Sequence, residues 1–447
     1  MNEIEDFFTY LRFPSISAQP AHHGDVRACA EWLRDWLSTH GLPNAALHET
    51  AGQPVVLART EPREGRPTVL LYGHYDVQPV DPVDLWRHAP FEPVIEDGLV
   101  IARGATDNKG QTFAHLLGIA EALLVEEGEL PVNLIVLVEG EEEIGSPSLG
   151  AFLETHREEL RADIALVSDT SMVAPGRPAI TTGLRGITCL EVTVHGPARD
   201  LHSGMFGGAV ANPAAVLARL LASLHHADGR LAVPGFYDEV ANPSADELRG
   251  WAELPFQEAE ILAATGSASL GGERGVTVLE RIWSRPTIEI NGLTSGYQGA
   301  GSKTIVPREA SAKLSARLVP HQTPQAAFER IRRHLLAQPL EGCVVYVEDD
   351  HGGSPYLLPA DSPWIAAARN AIAEVWEHPA ALVREGLSIP IVEKFQTILG
   401  LDTLLIGLGL PDCLAHSPNE TFPLTHLELG KRLNQSLLRH LAEITPT

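Results

Sequence analysis

The sequence predicts an α/β fold, a mostly parallel sheet flanked by helices, interrupted by a second domain of α+β type. Three observations carry this. Short, continuous apolar runs alternate with helical stretches up to residue 169, the pattern of strands buried on both faces in a parallel sheet. After "TTGLRG" (181–186) the pattern changes to strands with one wet face. From about residue 355 the first style resumes, so one domain encloses the other. The boundaries read as 1–185 and 353–447 for the enclosing domain and 186–352 for the inserted one.

The elements follow in order. "DVRACAEWLRDWLSTH" (25–40) predicts a helix, with Asp25 as its N-cap and Gly41 as its stop, because Cys29, Trp32, Leu33, Trp36 and Leu37 recur at helical spacing. "PTVLLYGHYD" (67–76), "VNLIVLVEG" (132–140) and "DIALVSD" (163–169) read as buried strands. "NKGQTFAHLLGIAEALLVEE" and "SLGAFLETHREEL" read as the helices between them. In the inserted domain "TCLEVTVHG", "REASAKLSARLVP" and "CVVYVED" are strands, and "NPAAVLARLLASLHH" and "TPQAAFERIRRHLLAQ" are helices. Ala310, Ala312, Leu314, Ala316 and Leu318 alternate with Ser311, Lys313, Ser315 and Arg317, a period of two that leaves one face covered. Residues 230–285 fit neither pattern and read as a helical insertion. "DSPWIAAARNAIAEVW", "LDTLLIGLG" and "THLELGKRLNQSLLRHLAEI" complete the chain as helix, strand and helix.

At 447 residues, 44% of them hydrophobic and 20% charged, the chain is a folded protein too long for one ordinary core. Its 33 basic and 58 acidic residues give a formal charge of −25, which repels nucleic-acid phosphates and anionic membranes. Cys29, Cys189, Cys343 and Cys413 form no C-x-x-C pair, so neither a disulfide framework nor a thiolate metal site is expected, and a reducing cytoplasm fits. "MNEIEDFFTYLRF" is acidic and amphipathic, unlike an export signal, and no apolar run of membrane-spanning length occurs.

The chemistry concentrates where strands end, since ligands bind beyond the carboxyl ends of such strands. "LIVLVEGEEEIGS" (134–146) runs an apolar strand into Glu139, Glu141, Glu142 and Glu143. Like charges at about 4 Å repel by about 4 kcal/mol at an effective dielectric near 20, so this cluster is either a wet loop or is neutralised by a cation. His74 and Asp76 stand two apart at another strand end, where a carboxylate can fix the imidazole tautomer that a metal needs. Asp107 in "GRGATDNKG" reads as an N-cap or a ligand, Asp169 as a turn residue or a ligand, and His416 in "AHSPNE" as a loop histidine or a ligand. Two imidazoles and three or four carboxylates at one sheet edge make the ligand set of a two-metal hydrolase.

These motifs, together with "GLRG", "RDLHSGMFGG", "GAGSKTIVP", "RLVP" and "REGLSIP" in the same order, make the chain resemble the M20 family of metallopeptidases, in particular its dipeptidase branch with the cytosolic carnosine-type dipeptidases. The resemblance spans nearly the whole chain. It implies a di-zinc exopeptidase-like catalytic domain and a ferredoxin-like dimerisation (lid) domain. It implies that His74, Asp107 and Asp169 hold one divalent ion and Asp107, Glu143 and His416 a second, with Asp107 bridging and Asp76 orienting His74. Zinc stands first; manganese and cobalt suit the same donors. Glu142 becomes the general base that deprotonates a water shared by the two metals, and Glu141 falls outside the site. His202 is implied to stabilise the oxyanion in the partner subunit of a homodimer. Arg317 is implied to clamp the substrate carboxylate, a task suited to its fork of donors, and Thr304, His351 and Ser388 to add further substrate contacts. The implied reaction is hydrolysis of dipeptides or similar small peptides with a free carboxylate. An N-acyl-amino-acid amidohydrolase, with the same metals and base, is the alternative.

One competing motif fails on its own terms. In "GYQGAGSKT" (296–304) Ser302 separates Gly301 from Lys303, and the following "IVP" reads as a strand, so no helix amino terminus is there to cradle a nucleotide phosphate.

Overall fold

The computed structural model describes residues 2–125, 128–386 and 389–445. Its larger sheet runs in the order Ala46–His48, Val55–Arg59, Asn133–Glu139, Thr68–His74, Ile164–Val167, Thr403–Ile406, Ala179–Leu184 and Tyr356–Leu357, with Ala381–Glu385 parallel to Ala179–Leu184. The pairs at its centre, from Asn133–Glu139 through to Thr403–Ile406, are parallel; Ala46–His48 and Val55–Arg59 pair antiparallel at one edge, and Ala179–Leu184 pairs antiparallel with Thr403–Ile406 and Tyr356–Leu357 towards the other. The central strands are buried on both faces, which is why they read as unbroken apolar runs: Leu70, Leu71, Val136 and Leu137 are at most 1% exposed. Each such side chain contributes roughly 1.5–3 kcal/mol by leaving water.

Helices cover this sheet. Glu3–Leu11, His23–Thr39, Lys109–Val125, Pro363–Ala373 and Leu424–Leu441 share one apolar core with it. Lys109–Val125 lies so close to the strand Thr68–His74 that a Cβ on Gly73 would fall 2.1 Å from Thr112 Oγ1, so only glycine fits beside His74. Lys109 is itself buried and donates from Nζ to the carbonyls of Tyr10 (3.0 Å) and Phe13 (2.9 Å), which ties the amino-terminal helix to the helix that follows Asp107.

The smaller sheet, Thr287–Ser295, Glu309–Leu318, Gly186–His195 and Val344–Gly353 in that order, is antiparallel throughout. With helices Pro213–Ala222 and Pro324–Leu336 its chain order is β-α-β-β-α-β, a ferredoxin-like arrangement. The alternation read in 310–318 is the buried face: Ala310, Ala312, Leu314, Ala316 and Leu318 all pack into this second core.

Some elements differ from the sequence reading. The first long helix begins at His23, not after an Asp25 cap, because the 3₁₀ turn Pro20–His22 leads directly into it; the Asp25 carboxylate instead meets His22 Nδ1 at 2.8 Å. The helix expected over 148–160 is regular only over Leu149–Thr155. Residues 230–285 contain helices Ala245–Ala252, Glu258–Thr265 and Val278–Trp283. Among the described residues no helix is long and apolar enough to cross a membrane.

Candidate metal centre

Three parallel strands end on one edge and deliver His74, the Glu142–Glu143 turn and Asp169; Asp107 stands just before a helix, and His416 lies in the loop after Thr403–Ile406. His74 Nε2 is 3.2 Å from Asp107 Oδ1 and 3.9 Å from Asp169 Oδ2. His416 Nε2 is 2.9 Å from Asp107 Oδ2 and 3.3 Å from Glu143 Oε2. Thus the two oxygens of Asp107 face two different imidazoles. Ligand atoms sharing one tetrahedral ion at about 2.0–2.2 Å stand about 3.4 Å apart, so these separations suit donors around common cations.

Two further observations point to cations rather than to a self-contained polar network. His74 Nε2 and Glu143 Oε1 are buried with no hydrogen-bond partner, although buried polar atoms are normally satisfied. The charges are also poorly balanced. Burial opposes ionisation of Asp107, yet the hydrogen bond with His416 and the charge of the facing His74 hold its carboxyl below the usual range, while Asp107 and Glu143 push His416 up to about 10. Burial raises Glu142 well above an ordinary glutamate, with the charges of Asp169, Glu143 and Asp107 adding to it, and burial raises Glu143 as well. Divalent ions would displace those protons and neutralise the carboxylates.

The four glutamates of the 134–146 stretch divide cleanly. Glu139 Oε1 accepts from Tyr72 Oη (2.8 Å) and Ser146 Oγ (2.7 Å). Glu141 accepts from the amides of Gln53 (3.1 Å) and Ser148 (3.2 Å), so its carboxylate is spent on loop structure. Glu142 and Glu143 remain for the centre. Asp76 fastens their turn, accepting from both of their amides at 3.2 and 3.1 Å and from Ser17 Oγ at 2.6 Å. His74 Nδ1 lies nearer the Asp76 carbonyl (3.1 Å) than its carboxylate (3.4 Å), so the backbone oxygen also sets the imidazole tautomer.

Several residues that reasoning from sequence passed over complete the site. Gln78 donates to Glu143 Oε2 at 2.8 Å. Asn108 donates to Asp169 Oδ1 at 3.0 Å and to the Ser168 carbonyl at 2.6 Å. Glu420 accepts from the amides of Gly104, Thr106 and Asp107 at 2.8–2.9 Å and so shapes the loop that holds Asp107. Glu385 lines the cavity in front of the centre, and burial alone pushes its carboxyl up to about 7. All four sit in or beside motifs already singled out, a signal that proximity to a ligand can supply.

That cavity, about 480 Å³, is bounded by Asp107, Asp169 and Glu385, and by none of His202, Thr304, Arg317 or His351. Those four belong to the smaller domain. His202 is exposed, with Nδ1 accepting from the Gly204 amide at 3.0 Å; it sits on a short strand paired with Ile305–Val306, and Ser203 donates to the Thr304 carbonyl at 3.1 Å. Arg317 and Gly353 both pair with Ile187, and His351 pairs with Cys189, so Arg317 and His351 share the wet face at one end of the smaller sheet. Ser388 lies outside the described residues.

Residues 70–440 match the model of peptidase family M20/M25/M40. The chain is 32% identical over 436 residues to the Cys-Gly metallodipeptidase DUG1 of Candida albicans, covering 93% of this chain and 90% of that protein. It is 32% identical over 398 residues to the Beta-Ala-His dipeptidase of Homo sapiens, covering 88% and 78%. Among solved structures, the M20 family metallo-carboxypeptidase Sso-CP2 from Sulfolobus solfataricus superposes with a TM-score of 0.83 at 31% identity, over 99% of this chain and 100% of that one. A family match over most of the chain, on a fold that gathers the donors of a metal centre, makes this protein a hydrolytic enzyme belonging to peptidase family M20/M25/M40.

Proposed function

We propose that the protein hydrolyses dipeptides at a centre of two divalent metal ions. His74, Asp107 and Asp169 would hold one ion and Asp107, Glu143 and His416 the other, with zinc first and manganese or cobalt as alternatives. The observation that carries this is the convergence of these five residues, distant in sequence, to separations of 2.9–3.9 Å around buried, unpartnered donor atoms. Bound there, the ions would polarise the scissile carbonyl and lower the pKa of a water to about 7.

The chain's own residues do the rest. Glu142, held by the Asp76 carboxylate through its amide, takes the proton of the attacking water on its carboxylate and returns it to the leaving amine nitrogen. Gln78 and Asn108 keep Glu143 and Asp169 aimed at the centre. Glu385, a carboxylate set in the cavity with burial as the cause of its raised pKa, suits the free ammonium of a peptide. An N-acyl amino acid has no ammonium to offer it, which favours the dipeptidase reading over the amidohydrolase. The names of the two curated relatives, both dipeptidases, point the same way. Arg317, with Thr304, His351 and Ser388, is assigned to the substrate carboxylate.

Chelation followed by dialysis is expected to abolish hydrolysis, and zinc, manganese or cobalt to restore it, with close to two ions per chain by elemental analysis. On a panel, dipeptides should turn over at least about tenfold faster than matched N-acetyl amino acids, since a site built for a charged group rejects the analogue lacking it. The reverse ranking would establish the amidohydrolase instead.

His202 is assigned to the active site of the partner in a homodimer. Its exposure and its absence from the cavity of its own chain support that reading. Mixing two inactive proteins, His202→Ala and Glu142→Gln, should then restore partial activity once subunits exchange, because one mixed site carries both wild-type groups. No rescue after verified exchange would mean that His202 acts in its own chain or not at all.

A further inference from the structure

Residues 244–284 leave the smaller domain and dock on the strand Ala381–Glu385 of the catalytic domain, whose last residue faces the cavity. The docking is specific. Glu247 caps helix Ala245–Ala252, accepting the Ser244 amide on Oε2 (2.8 Å), while its Oε1 accepts from Arg384 Nε and Nη2 at 3.0 and 2.7 Å. Arg384 is 2% exposed and its guanidinium lies 5.7 Å from the Trp251 ring; Trp251 donates to the Leu382 carbonyl at 3.2 Å and stacks edge-on against Trp283 at 5.2 Å. A capping box at Thr277 starts the helix that carries Leu279 and Trp283.

This strap supplies much of the apolar lining of the cavity: Leu254, Phe256, Leu279 and Trp283 line the same space as Asp107 and Asp169. Leu254, Phe256 and Trp283 are half-buried, with part of their apolar surface left uncovered. Uncovered apolar surface within a cavity beside a reactive centre is where a substrate side chain gains most by leaving water. Glu385 shares the cavity, and Arg317, Thr304 and His351 do not, which places the amino-terminal residue of the substrate against this wall.

We propose that Leu254, Phe256, Leu279 and Trp283 form the pocket for the side chain of the amino-terminal residue and select large apolar side chains there. This rests on the dipeptidase reading above. The test compares kcat/KM for Leu-Gly, Phe-Gly, Ala-Gly and Lys-Gly in the metal-loaded wild type, in Phe256→Ala and in Leu254→Glu, with thermal unfolding as a check on folding. The wild type should prefer Leu-Gly and Phe-Gly to Ala-Gly. Phe256→Ala should lower that preference about tenfold or more, mainly through KM, the range expected for lost apolar contacts. Leu254→Glu should raise Lys-Gly relative to Leu-Gly, a gain that misfolding cannot imitate. Brisk wild-type cleavage with both ratios unchanged in the two variants would overturn the pocket assignment alone. A wild type that cleaves none of the four dipeptides but does cleave N-acetyl amino acids would overturn the dipeptidase reading, and the pocket with it.

Discussion

Glu142→Gln is expected to retain both metal ions and to lose at least about 100-fold in kcat, the low end of what a positioned general base contributes. The amide keeps the length and shape of the side chain, and the Glu142 backbone amide still donates to Asp76 Oδ1, so the turn that holds Glu143 stays in place. What disappears is the capacity to carry a proton from water to the leaving nitrogen. KM should therefore change little, since the lost interaction belongs to the transition state. Glu141→Gln is the matched control. That carboxylate already accepts from the amides of Gln53 and Ser148, so its loss should appear in thermal stability and leave kcat near wild type. The opposite pattern, an active Glu142→Gln and an inactive Glu141→Gln, would transfer the role of base to Glu141.

Those adjacent carboxylates mark how far the sequence can be read. Continuous apolar runs identify the central strands because burial on both faces removes any alternation, and strand ends identify His74, Asp169 and the glutamate turn because a parallel sheet collects its carboxyl ends on one edge. The smaller sheet is legible for the opposite reason: one wet face writes a period of two into 310–318. Residues 244–284 are not legible in this way. The helix Ala245–Ala252 is held by a partner over 130 residues away, Arg384 on Glu247, and no local pattern announces such a contact. The groups that aim the candidate ligands are marked in the sequence only by their nearness to a motif. Ligand types declare themselves chemically, whereas Gln78 and Glu420 matter only through the atoms that folding sets beside them.

Substitution of Glu420 should give the largest loss of stability and metal affinity away from the candidate ligands. The residue is fully buried; Oε2 accepts from Arg103 Nη1 at 2.8 Å and the Gly104 amide at 2.9 Å, and Oε1 from the Thr106 and Asp107 amides at 2.8 and 2.9 Å. Burial holds its carboxyl above the ordinary range even beside Arg103, so the pair is no gift to stability as such. Removing one partner is a different matter, because Arg103, 1% exposed, would be left as an uncompensated buried cation. Glu420→Ala should therefore cost about 3–5 kcal/mol, a large share of the roughly 5–15 kcal/mol that holds a typical protein folded. Metal affinity should fall about 10–100-fold, as for other groups that orient ligands, since the loop carrying Asp107 loses its anchor. The double variant Arg103→Met/Glu420→Ala separates the two effects. Removing the stranded cation should recover much of the stability in thermal melts, yet calorimetric titration of the metal should still show weakened binding, because the three amides remain without their acceptor. Full recovery of metal affinity in the double variant would reduce Glu420 to a counterion for Arg103 and leave the placement of Asp107 to the helix behind it.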